Sequence, residues 1–241
     1  MREKIIDFHS HILPEVDDGS SSLEESIAML RLEADQGIRH VVATPHFYAQ
    51  HDTAEGFVAR RAEAELRLRE EMKKHKGLPK LSIVAEVHFF RGISQAALLQ
   101  ELTIDGKKCT LIEMPHTVWT DGMYQELERI YTERGIVPII AHVDRYFGRF
   151  RTYGIPERLA ELPVLVQANG SFFCHRSTAP RALRMLQRQQ IHLLGSDCHN
   201  TYSRVPNLGR ALDVICKQAD ASVLSHICAA QEIVFNETHI Y

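Results

Sequence analysis

Short apolar runs along this chain keep ending in a histidine, an aspartate or a glutamate, and no other feature constrains the fold as much. The run Ile5-Ile6-Asp7-Phe8 ends at His9-Ser10-His11. Later runs end at Thr44-Pro45-His46, Ala85-Glu86, Ile112-Glu113, Ala141-His142 and Ser196-Asp197-Cys198-His199. Two histidines at i and i+2 of an extended segment present their imidazoles to the same side. In a βα barrel, chemistry-bearing side chains collect at the C-terminal ends of several parallel strands. Six of seven strand-like runs end in this way; the exception is followed by Gln167-Ala168-Asn169-Gly170.

Helical patterns separate these runs. Strands are expected at residues 4–8, 41–43, 81–85, 109–112, 137–141, 164–167 and 192–195. Ser22, with Glu25 three residues on, makes a capping box for a helix whose apolar face is Leu23, Ile27, Leu30 and Ala34, ending near Gly37. A long charged helix from about 53 to 75 is stopped by Gly77 and Pro79. Further helices are expected near 94–102, 121–134, 181–189, 206–218 and 221–230. The alternation predicts an α/β fold with a parallel barrel rather than an open sheet, and leaves seven or eight strands open. No repeat, low-complexity tract or linker divides residues 1–241, so a single domain is expected.

The 44% hydrophobic and 24% charged fractions are those of an ordinary globular chain. A net charge of -3, with Lys and Arg spread along the sequence, gives no nucleic-acid surface. No stretch approaches the roughly 18 apolar residues of a membrane helix, so no membrane insertion is expected. Met1-Arg2-Glu3-Lys4 leads into only four residues before His9, so no signal peptide is expected. Cys109, Cys174, Cys198, Cys216 and Cys228 are odd in number and contain no CxxC, which favours a reducing compartment, the cytoplasm.

The HxH of residues 9–11, Asp18, the TPH of 44–46, Glu86, Glu113, His142 and the SDxHN run of 196–200 together resemble the PHP superfamily of metal-dependent phosphoesterases. The stretch FHSHILPEVDDGSSSLEES and the later AHVDRY are similar, more narrowly, to the bacterial tyrosine phosphatases of capsule and exopolysaccharide operons. The likeness runs from Ile6 to about Asn236 with matching order and spacing. It implies a distorted TIM-like (β/α)7 barrel, the PHP fold. It also implies three divalent metal ions, manganese first, with iron, zinc or magnesium as alternatives. Carried over by position, His9, His11, Glu86 and Asp197 would hold the first ion. Glu86 would bridge to a second, completed by Glu113 and His142; Asp18, His46 and His199 would hold the third. Imidazole and carboxylate without thiolate suit these metals. Four carboxylates drawn together would repel unless cations lay among them.

The implied reaction is hydrolysis of protein phosphotyrosine by a metal-bound hydroxide, available near neutral pH because the metal lowers water's pKa. Arg145, three residues after His142, and Arg204, five after His199, match the family's phosphate-binding arginines. The expected substrate is a bacterial tyrosine kinase that controls capsular or extracellular polysaccharide. One rival is a small-molecule phosphoesterase of the same superfamily, such as a histidinol-phosphate phosphatase; another is a non-catalytic metal-binding partner of the kinase. His40, His75, His192, His226 and His239 fall away from the strand ends, whereas His51, His88 and His116 follow them, where they could line the mouth. Cys198 and Arg204 have the CxxxxxR spacing of cysteine phosphatases but lack its Gly-rich anion cradle, so the match is coincidence. Val143-Asp144 before Arg145, and Ala85 before Glu86, depart from the family pattern without removing a ligand.

Overall fold

The computed structural model describes residues 4–147 and 154–236; His239 lies outside them. The described strand segments are β1 (Asp7–Ser10), β2 (His40–Ala43), β3 (His46–Phe47), β4 (Lys80–Ile83), β5 (Glu86–His88), β6 (Cys109–Glu113), β7 (Val137–Ile140), β8 (Leu165–Asn169) and β9 (Leu193–Gly195). They pair in the orders β1-β2-β4 and β3-β5-β6-β7-β8-β9, every pairing parallel. Because β2 runs on into β3, and β4 into β5, these orders are one sheet of seven staves with two of them interrupted. The sheet returns on itself. Ser10 bridges Cys198, Asp197 N donates to His9 O at 2.7 Å and His11 N donates to Cys198 O at 2.8 Å.

The strands are buried on both faces, as parallel strands between a barrel interior and a helical coat must be. Phe8, Val42, Val84, Leu111, Ile139, Leu165 and Leu193 form the inner cluster. Their neighbours Val41, Ala43, Ile83, Ile112, Ile140, Val166 and Leu194 join the outer core. The coat is α1 (Leu23–Asp35), α2 (Ala54–Met72), α3 (Asp121–Arg134), α4 (Ile155–Leu159), α5 (Gly170–Cys174), α6 (Ala179–Gln187) and α7 (Leu208–Gln218). α8 (Ser222–Asn236) packs at the N-terminal ends of the strands, where Gln231 accepts from Ile6 N at 2.8 Å and donates to Lys4 O at 3.0 Å. It adds Ala230 and Val234 to the inner cluster. Two residues beyond inner Val84, Leu111 and Leu165 stand Glu86, Glu113 and Gln167. An inward row that is apolar at one end of the barrel therefore becomes polar at the other.

Several elements depart from the sequence expectation for local reasons. The first strand, expected at 4–8, is Asp7–Ser10, so the HxH begins inside it. Its register against β2 shifts between Asp7 and Ser10, a bulge-like irregularity. That shift lets consecutive residues Phe8 and His9 both serve the interior. The helix expected near 94–102 is two 3₁₀ turns, Ile93–Gln95 and Ala97–Leu102, separated by extended Ala96. Arg134 takes the Ser94 and Gln95 carbonyls at 2.6 and 2.7 Å, which are the acceptors an α-helix would need there. Only half of the capping box forms: Glu25 N donates to Ser22 Oγ at 3.2 Å, but the Glu25 carboxylate turns to Ser21 N at 3.0 Å. α8 continues to Asn236 rather than 230, and the short α4 and α5 carry no strong periodicity of their own.

His192 immediately precedes β9, at the end remote from the polar row. Its Nδ1 accepts from Val166 N at 3.1 Å, and burial with neighbouring His226 holds its pKa down to about 4. The folded pKa lies below the unfolded value of about 6.5, so its contribution is full above pH 6.5 and is lost as pH falls toward 4. Wild type is expected to lose about 2–3 kcal/mol from this group between pH 7 and 4.5. His192→Gln should show a correspondingly shallower fall of Tm over the same window.

Candidate metal centre

All nine histidines and carboxylates singled out in the sequence meet at the C-terminal ends of the staves. His9 and His11 Nε2 lie 3.1 Å apart, the same-side placement that alternation dictates. Glu86 opens β5 and places Oε2 3.2 Å from His9 Nε2 and 3.3 Å from His11 Nε2. Asp197 Oδ1 lies 3.6 Å from each of those nitrogens. The other Glu86 oxygen is 2.8 Å from His142 Nε2, which stands 3.5 Å from Glu113 Oε1. At the mouth, Asp18 Oδ1 is 3.4 Å from His46 Nε2 and 3.5 Å from His199 Nε2. The groups overlap: His11 clusters with Asp18, His46 and His199 as well as with His9 and Glu86, and His46 also joins Glu86 and Glu113.

Backbone strain turns two of these side chains inward. His142 has φ 29° and Asp197 φ 55°, left-handed values costing on the order of 1 kcal/mol or more for residues with a Cβ. Glycine supplies room elsewhere. A Cβ on Gly19 would lie 2.2 Å from His11 O, and one on Gly195 would lie 2.4 Å from His9 Cβ and 2.7 Å from Gln167 Nε2. Gly195→Ala should therefore displace His9 and weaken Mn²⁺ binding about 10–100-fold, the range for disturbed ligand support. Isothermal titration of the chelated protein with Mn²⁺ checks this, with circular dichroism to verify the fold.

Three residues that the sequence did not single out hold the ligands in place. Asp17 accepts from His11 Nδ1 at 2.7 Å and from His46 N at 2.9 Å, fixing one imidazole and the start of β3. Gln167 Oε1 accepts from His142 N at 2.6 Å and lies 3.2 Å from His9 Nδ1. Asn169 Nδ2 donates to Asp197 Oδ2 at 3.0 Å. The strand lacking a terminal acid or histidine thus contributes through amides. A signal was present: Gln167 and Asn169 are polar residues two apart at inward positions of a wholly buried strand.

The electrostatics suit cations. Burial opposes charge on His11, but the Asp17 carboxylate and then Glu86 outweigh it and push its pKa up to about 10. A field that favours a proton on that nitrogen also favours a metal ion. Burial works against the Glu86 carboxylate as well, yet the His9 charge and the close approach of the His11, His142 and His46 ring nitrogens hold it well below the usual range. Burial and the His11 charge bring His199 down to about 3, leaving it a neutral donor. Glu86 Oε2, His46 Nδ1 and His199 Nε2 are buried without a hydrogen-bond partner. Each such atom costs about 1–3 kcal/mol unless something satisfies it. An all-nitrogen-and-oxygen donor set facing orphaned lone pairs fits hard or borderline divalent ions.

Arg145 and Arg204 flank the cluster. Arg145 pairs with Asp197 Oδ2, and Arg204 reaches Asp197 Oδ1 at 2.9 Å and Asp18 Oδ2 at 3.9 Å. Both are partly exposed, and with Asp197 they line a groove of about 480 Å³. Of the mouth histidines, His88 Nδ1 sits 3.0 Å from Glu113 Oε2 and His51 lies 6.3 Å from Tyr48, ring to ring. His40 and His75 are taken up far from the ligands, by Ser82 Oγ at 2.8 Å and Glu71 Oε1 at 3.3 Å. Cys198 is fully buried, and burial followed by the Glu33 and Asp7 charges pushes its thiol well up. A nucleophilic cysteine needs the opposite shift.

Known proteins share this sequence and architecture. A profile of the family described as "Capsular polysaccharide synthesis, CpsB/CapC" matches residues 5–234. Tyrosine-protein phosphatase CpsB of Streptococcus pneumoniae is 31% identical over 233 residues, spanning 90% of this chain and 92% of that protein. Tyrosine-protein phosphatase YwqE of Bacillus subtilis strain 168 is 27% identical over 248 residues, spanning 98% and 94%. A solved structure from work on YwqE and CpsB, described there as "unique metal-dependent tyrosine phosphatases", superposes with a TM-score of 0.83 at 23% identity. It covers 98% of this chain and 96% of the other, so the fold is the same.

Proposed function

The chain belongs to the CpsB/CapC family of capsular polysaccharide synthesis, and from that premise we propose that it is a metal-dependent phosphatase acting on phosphotyrosine in proteins. The observation that carries this reading is the convergence of nine nitrogen- and oxygen-bearing side chains, several with orphaned buried atoms, beside two arginines. His9, His11, Glu86 and Asp197 would hold one ion, Glu86, Glu113 and His142 a second, and Asp18, His46 and His199 a third. Manganese is the ion assigned. Bound ions supply Lewis acidity toward phosphoryl oxygens and lower the pKa of coordinated water.

The remaining work falls to the chain. Asp17 and Gln167 fix the His11 and His9 rings, so that the donors need not reorganise during turnover. Arg145 and Arg204 approach from opposite oxygens of Asp197, and two planar guanidinium groups set this way can clamp the equatorial oxygens of a phosphoryl group. Charge spread over those oxygens is the main feature of the transition state to be stabilised. A tyrosyl leaving group, pKa about 10, departs with less protonation than a seryl alkoxide. No strong general acid is therefore required. The exposed position of Asp18 at the mouth leaves the centre accessible to a tyrosine on a protein surface.

The substrate assigned is a bacterial tyrosine kinase of the polysaccharide machinery, and the place of action is the cytoplasm. The family's role supports the first. No helix of the described residues is long and apolar enough to cross a membrane. The test compares kcat/KM for a phosphotyrosine peptide, a phosphoserine peptide and histidinol phosphate, each with Mn²⁺. Strong preference for the phosphotyrosine peptide is expected. Preference for histidinol phosphate would overturn the substrate, and absence of turnover on all three would leave a metal-binding partner of the kinase.

A further inference from the structure

We propose that the groove leading away from Arg145 and Arg204 binds a second anionic group on the substrate chain, close in sequence to the phosphotyrosine, with Arg210 as its principal contact. This inference rests on the phosphotyrosine reading above and adds a specificity determinant to it. One groove is lined both by Arg145, Asp197 and Arg204 and by Ser171, His175 and Arg210. Its volume of about 480 Å³ is that of a site for a drug-sized ligand, more than one phosphoryl group fills.

Arg210 has no evident structural duty. It is exposed, and it makes no ion pair with any carboxylate among the described residues, whereas Arg145 and Arg204 both hold Asp197. It stands third in α7, in the first turn, where a cation is disfavoured by the helix dipole by about 0.3–1 kcal/mol. The helix dipole therefore gives no reason for a cation at this position. The turn that carries it is firmly anchored. Gln36 donates to Pro206 O at 2.8 Å and accepts from Gly209 N at 2.8 Å. A Cβ on Gly209 would lie 2.8 Å from Gln36 Cβ, so the two elements meet closely. A guanidinium on a fixed turn loses less freedom on binding than one on a mobile loop.

The carboxylates that face the same groove are Asp144 and Asp197. Asp144 is directed inward, accepting from Asn169 N at 2.9 Å, and Asp197 is engaged by both flanking arginines. Neither pairs with Arg210. What enters this groove from solvent meets a guanidinium with no ion-pair partner among the described residues, in a lining that also holds His175 and the Ser171 hydroxyl. The matching chemistry is an acidic side chain or a further phosphoryl group on the same peptide.

The test uses three phosphotyrosine peptides of equal length in the presence of Mn²⁺, one with neutral flanks, one with flanking glutamates and one with a second phosphotyrosine. Wild type should favour at least one anionic peptide over the neutral one by about 5-fold in kcat/KM, carried by KM, or about 1 kcal/mol. In Arg210→Gln that ratio should fall to one, while Arg210→Lys should retain part of it. Which anionic peptide is preferred identifies the source of the charge. A wild-type ratio of one, or a preference that survives Arg210→Gln, overturns the proposal. Turnover of p-nitrophenyl phosphate in that case leaves the phosphatase reading standing; no turnover of it or of any peptide defeats both.

Discussion

Glu86→Gln is expected to reduce kcat/KM toward a phosphotyrosine peptide by about 10³-fold or more, and the loss should come with a loss of bound metal. Glu86 is buried to 1% exposure, and its two oxygens face His9 and His11 on one side and His142 on the other. Each oxygen thus serves a different group of imidazoles. The amide keeps the shape but surrenders the charge and one acceptor, so both neighbouring ion positions weaken together. Metal assistance is worth several kcal/mol in such sites; about 4 kcal/mol corresponds to roughly 10³ in rate. Metal content measured by plasma mass spectrometry on the same sample separates this cause from simple misfolding. A variant that kept its metal and its rate would remove Glu86 from the centre.

Arg145→Ala should show the converse pattern, with metal retained and turnover lost. The guanidinium lies outside the imidazole cluster and reaches it through Asp197 Oδ2. It sits on a 3₁₀ turn, Val143–Tyr146, held by Tyr146, whose hydroxyl accepts from Met114 N at 2.8 Å. Removal of one fixed donor aimed at developing charge typically costs about 10²–10³ in kcat. Arg145→Lys should recover only part of the rate, because an ammonium cannot present two parallel N–H groups to a phosphoryl edge. Single-turnover kinetics with metal analysis reads both quantities. Equal loss of metal and rate would make Arg145 a support for Asp197 rather than a contact to substrate.

Much of this architecture was legible because barrel chemistry is concentrated at strand ends. A strand-like run followed at once by His46, Glu86, Glu113, His142 or Asp197 announces both the strand and its direction. α3 was readable to the residue, since Asp121 and Gly135 punctuate it and Tyr124, Leu127 and Ile130 mark its buried face. Other features depend on distances that no local pattern carries. The shift that lets Phe8 and His9 both face inward arises from pairing with β2. The need for glycine at 19 and 195 arises from the approach of His11 and His9. The broken helix after β5 reflects Arg134, forty residues away in sequence from the Ser94 carbonyl it captures. Asp17 was hidden by its neighbour: the resemblance singles out Asp18 alone, and the fold shows Asp17 facing the His11 ring while Asp18 reaches the mouth. Gln167 and Asn169 were passed over because amides seldom ligate metals, although polar side chains inside a buried strand call for a purpose.

Turnover of a phosphotyrosine peptide by thoroughly chelated protein, followed as Mn²⁺ is returned, probes the metal centre without an intermediary. Activity absent under chelation, restored by Mn²⁺ in wild type and not restored in His9→Ala, is the expected result. Activity that survived chelation but disappeared in Cys198→Ser would contradict the metal centre and place the chemistry on a thiol.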